Sequence, residues 1–190
     1  MKIGRLVART VIGGLFIGHG TQKLFGWFGG PGREGTAQMM DKLALRPARR
    51  QATLAGASET AGGTLLALGA LTPLAAALLS GTMFTAIRKV HFKNGLWNTN
   101  KGYEFNATLV AAVAALVECG PGALSLDRAL GIERTGSGWA LASIAAGAVG
   151  SELAIKAGEP APEQPAPERA QRTEDAPQRT NGRPVPAGIA

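Results

Sequence analysis

Three polar residues close an apolar segment near the start of the chain. In GHGTQKLFGWFGG (18–30), His19, Gln22 and Lys23 follow the hydrophobic run LVARTVIGGLFI. At helical pitch, residues three and four apart project from one side, so an imidazole, a carboxamide and an ammonium form one cluster that needs a partner. A carboxylate inside a second apolar segment, Glu59, can supply it. A third polar group follows the third apolar segment: Arg88, His91, Asn94, Asn98 and Glu104, threaded with Trp97 and Tyr103. A charge facing hydrocarbon costs several kcal/mol, so Lys23 and Glu59 are expected to face the bundle interior or water, and to pair. The chemistry such groups support is a polar pocket between helices, open at one membrane face, for a quinone head group or a small anion. The same groups could equally form a hydrogen-bond network that only fixes helix packing.

Other chemistries find less support. His19 and His91 are the two histidines of the chain, and without an attachment motif such as CxxCH they argue against haem. No His, Cys and carboxylate group has metal-ligand spacing, so no metal is expected. Cys119 stands alone, which excludes an internal disulfide or a CxxC redox pair; it is expected to be a small packing residue, and any redox centre would belong to a partner. GWFGGPG (26–32) has no preceding strand and no P-loop lysine, and reads as an interfacial turn and not a phosphate loop.

The elements that must position these residues are helices solvated by lipid. Of the 190 residues, 45% are hydrophobic but only 5% aromatic, and the apolar residues come in blocks with apolar or small side chains on every side. Five windows stand out: 6–25, 53–71, 73–87, 105–117 and 138–155. The third and fourth are shorter than the roughly 20 residues that cross a bilayer core and must recruit flanking polar residues such as Arg88 or Glu104. A buried soluble bundle would suit short helices, but GASETAGGT (56–64) puts Gly and Ala where a soluble helix places Leu and Lys, and small residues are the packing surfaces of membrane helices. The first window lacks a small-residue cleavage site and reads as a retained span. Trp27, Phe28, Trp97 and Tyr103 are placed as membrane-interface anchors. Between the first two spans, Met39, Met40, Leu43 and Ala44 mark one face of a short amphipathic helix over 36–45, expected to lie along the membrane surface.

Charge adds direction. The formal net charge is +7, and the basic residues sit beside apolar spans in no recognition-helix pattern, which points to lipid and orientation and not to nucleic acid. Arg33, Lys42, Arg46, Arg49 and Arg50 in the first loop, with Arg88, Lys89, Lys93 and Lys101 in the third, favour a cytoplasmic side for both. From residue 157 the composition turns to Pro, Glu, Gln and Arg with too little apolar surface to fold, which predicts a disordered tail over 157–190.

GHGTQKLFGWFGGPG, the span holding Glu59, NGLWNTNKGYEFN (94–106) and GPGALSLDRALG (120–131) together resemble the DoxX family of small bacterial membrane proteins. The resemblance covers about residues 5 to 132 and implies a four-helix membrane core over 1–132, beyond which 133–156 adds a fifth span. It also implies a multi-pass protein of the cell membrane, associated with thiosulfate to quinone oxidoreduction or with thiol and oxidative-stress assemblies. Two functions are expected on this basis: a non-catalytic membrane subunit or scaffold of a redox assembly, or a quinone-reactive oxidoreductase subunit with Lys23, Glu59 and His91 lining the head-group pocket.

Overall fold

A computed structural model describes residues 3–158, and these form an all-α bundle. Its helices are α1 (Ile3–Phe25), α2 (Gly32–Lys42), α3 (Ala48–Leu68), α4 (Thr72–Ala86), α5 (Glu104–Cys119), the short α6 (Leu126–Ala129) and α7 (Ser137–Gly158). Helices α4, α5 and α7 each begin one residue before an expected window, whereas α3 starts earlier, at Ala48, and takes Arg49 and Arg50 into its first turn. Among the described residues α7 is the helix long and apolar enough by itself to cross a membrane. The anticipated proline-rich tail lies, beyond Gly158, outside the described residues.

Glycine spacing decides how the bundle closes. Gly13 and Gly20 on α1 face Gly63 and Gly56 on α3, so the two backbones touch where side chains would separate them. A Cβ at Gly13 would lie 2.5 Å from the Gly63 carbonyl oxygen, and one at Gly20 would lie 2.2 Å from Thr60 Oγ1. A second small-residue seam joins α4 to α7, where a Cβ on Gly147 would come within 2.8 Å of the Ala77 carbonyl. Thr85 and Ser151 hydroxyls, 2.9 Å apart, continue that seam. Between the seams a core of Phe16, Leu66, Leu79, Met83, Val113 and Val117 fills the middle of the bundle.

Two expectations need correction. The short helix between the first spans buries a different face from the one expected: Thr36, Ala37 and Met40 are buried, and Ala37 and Met40 pack with Leu45, Ala52 and Ile155. Met39 points out on the other side of α2, and beyond the helix Ala44, at φ 56°, turns the chain so that Leu45 and not Ala44 enters the core. Arg49 ties α2 to α3 by forking onto Glu34 at 2.6 and 3.2 Å. That hydrogen bonding, with the charges of Arg49 and Arg33, holds the Glu34 carboxyl below its ordinary value. Cys119, expected to pack, is exposed, since α5 stops there and Gly120 leads the chain away at φ 80°.

The end of the bundle opposite His19 is stapled by a buried carboxylate. Asp127 accepts from the Leu71 amide at 2.6 Å, the Thr72 amide at 2.9 Å and the Thr72 hydroxyl at 2.6 Å, capping the tight turn that starts α4. Its own amide donates to the Gly69 carbonyl at 2.9 Å.

Candidate functional site

The glycine seam sets the site. Because α1 and α3 approach at Gly20 and Gly56, Lys23, just beyond the contact, reaches Glu59 across the gap: Nζ lies 2.5 Å from Oε2. The Glu59 side chain is 7% exposed and that of Lys23 22%, so the carboxylate is inside and the ammonium stands at the edge of a cavity. His19, one turn earlier on α1, lines the same cavity.

The opposite wall comes from the end of α4 and the turn beyond it. After Ala86 the backbone forms a π-turn over Ile87–His91. An added residue in a helical turn shifts the phase of everything beyond it, and such turns recur at functional sites. Here it carries His91 round to the face of Met83 and Ala86, so that the imidazole lines the cavity. The ring is fixed from outside: His91 Nδ1 lies 2.8 Å from the Lys101 carbonyl oxygen, which also accepts from Asn94 Nδ2 at 3.1 Å. A carbonyl can only accept, so Nδ1 carries a proton, which leaves Nε2 as the acceptor whenever the ring carries a single proton.

The third wall is α5. Asn106, buried in its first turn, has its amide 3.3 Å from the Met83 sulfur, a weak acceptor that a better one would displace. Phe16, Leu15, Phe105 and Leu109 complete an enclosure of about 300 Å³. Leu15 and Phe105 are themselves exposed, so the cavity has its mouth on the outer surface between α1 and α5.

The expected residues therefore divide. His19, Lys23 and His91 meet at the cavity, with Glu59 behind Lys23. Gln22 turns aside to the chain after α1, where a Cβ on Gly30 would strike its Cβ at 2.4 Å. Arg88 reaches α7 instead, pairing with Glu152, which also holds Lys156 at 3.4 Å. Asn94, Asn98 and Glu104 build the loop that supports His91: the Asn98 amide donates to the Glu104 carboxylate at 2.8 Å, and the Glu104 amide to the Leu96 carbonyl at 2.8 Å. Trp27, Phe28 and Trp97 are exposed at this same end, while Tyr103 stacks on Phe92 with ring centroids 6.0 Å apart. Asn106 escapes the sequence reading because it opens an otherwise apolar helix; a lone carboxamide at the head of such a run is the signal that could find it. Among the described residues no three His, Cys, Asp or Glu gather as metal ligands would.

The DoxX family model matches residues 4–92, from α1 through the π-turn that carries His91. Over that segment the chain is DoxX-like. No curated protein and no solved structure matches it. The matched segment contains both halves of the Lys23–Glu59 pair and both histidines of the cavity, while Asn106 and the α5 wall lie beyond it. As a DoxX-like protein it is a membrane protein.

Proposed function

We propose that this DoxX-like protein is a multi-pass subunit of a redox or oxidative-stress assembly in the cell membrane, and that it holds a quinone head group in the cavity between α1, α4 and α5. The observation that carries this reading is the cavity itself: about 300 Å³, mostly apolar, with Lys23, His19, His91 and Asn106 converging on it and a mouth on the outer surface of the bundle. That volume is at the small end for ligand sites and suits one substituted ring. A mouth between two helices admits a lipid-soluble molecule from the side. Lys23 and Asn106 are donors for quinone oxygens, and His91 Nε2 is an acceptor for a quinol hydroxyl proton. Converting a quinone to a quinol takes two electrons and two protons; the electrons come from a partner protein, since a single cysteine cannot cycle as a dithiol. With both lipid-flanked loops carrying the basic excess, this end of the bundle faces the cytoplasm.

A scaffold role has its own support, because the Lys23–Glu59 pair also cross-links α1 to α3. The two readings separate by ligand binding. In lipid nanodiscs, a short-chain quinone analogue should quench tryptophan fluorescence saturably, and Asn106→Leu or His91→Phe should weaken its binding at least about tenfold, the loss of one or more ligand hydrogen bonds. Saturable binding that neither variant changes, or no binding at all, leaves the scaffold reading.

A further inference from the structure

The face of α4 turned away from the quinone cavity lines a second hollow, a groove of about 240 Å³ between α3, α4 and α7. Ser58 on α3, Leu78 and Gly81 on α4, and Ala146 and Gly150 on α7 form its walls. All five are at least partly exposed, so the groove is open to whatever surrounds the bundle. The threonine hydroxyls within it are bonded inside α4, Thr82 to the Leu79 carbonyl at 2.8 Å and Thr85 to the Gly81 carbonyl at 3.0 Å, which leaves the lining apolar. Its depth is that of one leaflet: eight residues of α4, from Ala77 to Thr85, rise about 12 Å, against about 15 Å for half a hydrocarbon core.

At the end where α2 lies, this groove adjoins a cationic hollow of about 360 Å³, and Leu54 borders both. Arg33, Arg49 and Arg50 surround the second hollow, and all three are exposed. The acidic groups of the neighbouring elements are taken. Glu34 is held by Arg49, Asp41 by Arg46 at 3.0 Å, Glu59 by Lys23, and Glu152 by Arg88 and Lys156. Glu104 accepts from the Asn98 amide and borders neither hollow. Among the described residues Arg33 and Arg50 therefore form no ion pair, and each leaves a positive charge at the rim. Arg50, Leu54 and Ser58 are spaced by four and form one line along α3, which leads from that rim into the groove.

We infer that the two hollows together hold one anionic phospholipid, its phosphate on Arg33 and Arg50 and one acyl chain laid past Leu54 along the groove. Guanidinium groups suit phosphate oxygens, and basic residues at the bilayer surface attract anionic lipids. A soluble anion would use only the cationic hollow, and a helix of a second copy only the groove; a lipid uses both, in the order in which they stand. This site shares no residue with the quinone cavity and stands independently of it.

The test uses the full chain in mild detergent, offered equal amounts of phosphatidylglycerol and phosphatidylcholine with the same acyl chains, and reads bound lipid by native mass spectrometry. One phosphatidylglycerol per chain should be retained in preference to phosphatidylcholine. Arg33→Gln and Arg50→Gln together should lower its retention at least about tenfold, with Tm unchanged because the Arg49–Glu34 pair is left in place. Gly150→Leu fills the groove without a clash, since nothing lies within 4 Å of a Cβ built there, and should lose the lipid with every arginine present. Gly14→Leu, equally open but on α1, should retain it. General attraction of a basic surface for acidic lipid would survive Gly150→Leu. Equal retention of the two lipids, no retained lipid, or unchanged retention in either the arginine variant or Gly150→Leu overturns the inference. So does a dimer that carries no lipid, which would make a second copy the occupant of the groove.

Discussion

Removing Glu59 tests the centre of the bundle directly. Its Oε2 and Lys23 Nζ are 2.5 Å apart, a separation at which unit charges attract by about 7 kcal/mol at an effective dielectric near 20. Desolvation of the carboxylate, 7% exposed, offsets much of that, so the pair itself contributes little net stability. Breaking it is different. Glu59→Ala strands the ammonium between α1 and α3 and should cost about 3 kcal/mol, the lower part of the range for buried pairs because Lys23 keeps some access to water. For a chain of this size that is a fall in Tm of about 6 to 12 °C, measured by circular dichroism of purified protein in one detergent. Glu59→Gln keeps an acceptor for Lys23 and should cost about half as much. A Lys23→Met, Glu59→Leu double variant should recover most of the loss, since apolar groups of similar volume can replace a buried pair. If the double variant also loses quinone binding, the ammonium serves the cavity as well as the packing. A Glu59→Ala change of less than about 1 kcal/mol would refute the buried pair.

Two further outcomes probe the elements around the site. Gly20→Leu places a side chain where a Cβ alone meets Thr60 Oγ1 at 2.2 Å, so it should force α1 from α3, cost about 3 kcal/mol and separate Lys23 from Glu59; Gly14→Leu, with nothing within 4 Å of its Cβ, should be nearly neutral by the same thermal assay. Asp127→Ala removes the acceptor of three hydrogen bonds at the start of α4 and should destabilise by about 2 to 4 kcal/mol, read as a lowered Tm, with Asp127→Asn intermediate because one oxygen remains.

Much of this protein is written in residue order. Apolar blocks rich in Gly and Ala mark the helices, because lipid and close backbone contact demand small, uncharged surfaces wherever the chain runs. Lys23 and Glu59 can be paired on cost alone, since neither charge is tolerable by itself inside an apolar bundle. Tertiary structure decides the rest. His91 joins His19 only because a π-turn rephases the chain after Ala86, and no residue in IRKVH announces that extra residue per turn. Arg88 is equally near in sequence, yet its long side chain finds Glu152 on α7. Gln22 shares a helix face with His19 at ideal pitch, but the chain folding back at Gly30 occupies its side. Arg5 and Arg9 look like ordinary flanking charges until the loop after α5 covers them. Periodicity fixes which residues share a helix face; which faces meet depends on contacts between distant segments, and the carbonyls that take Arg5 and Arg9 come from more than a hundred residues away.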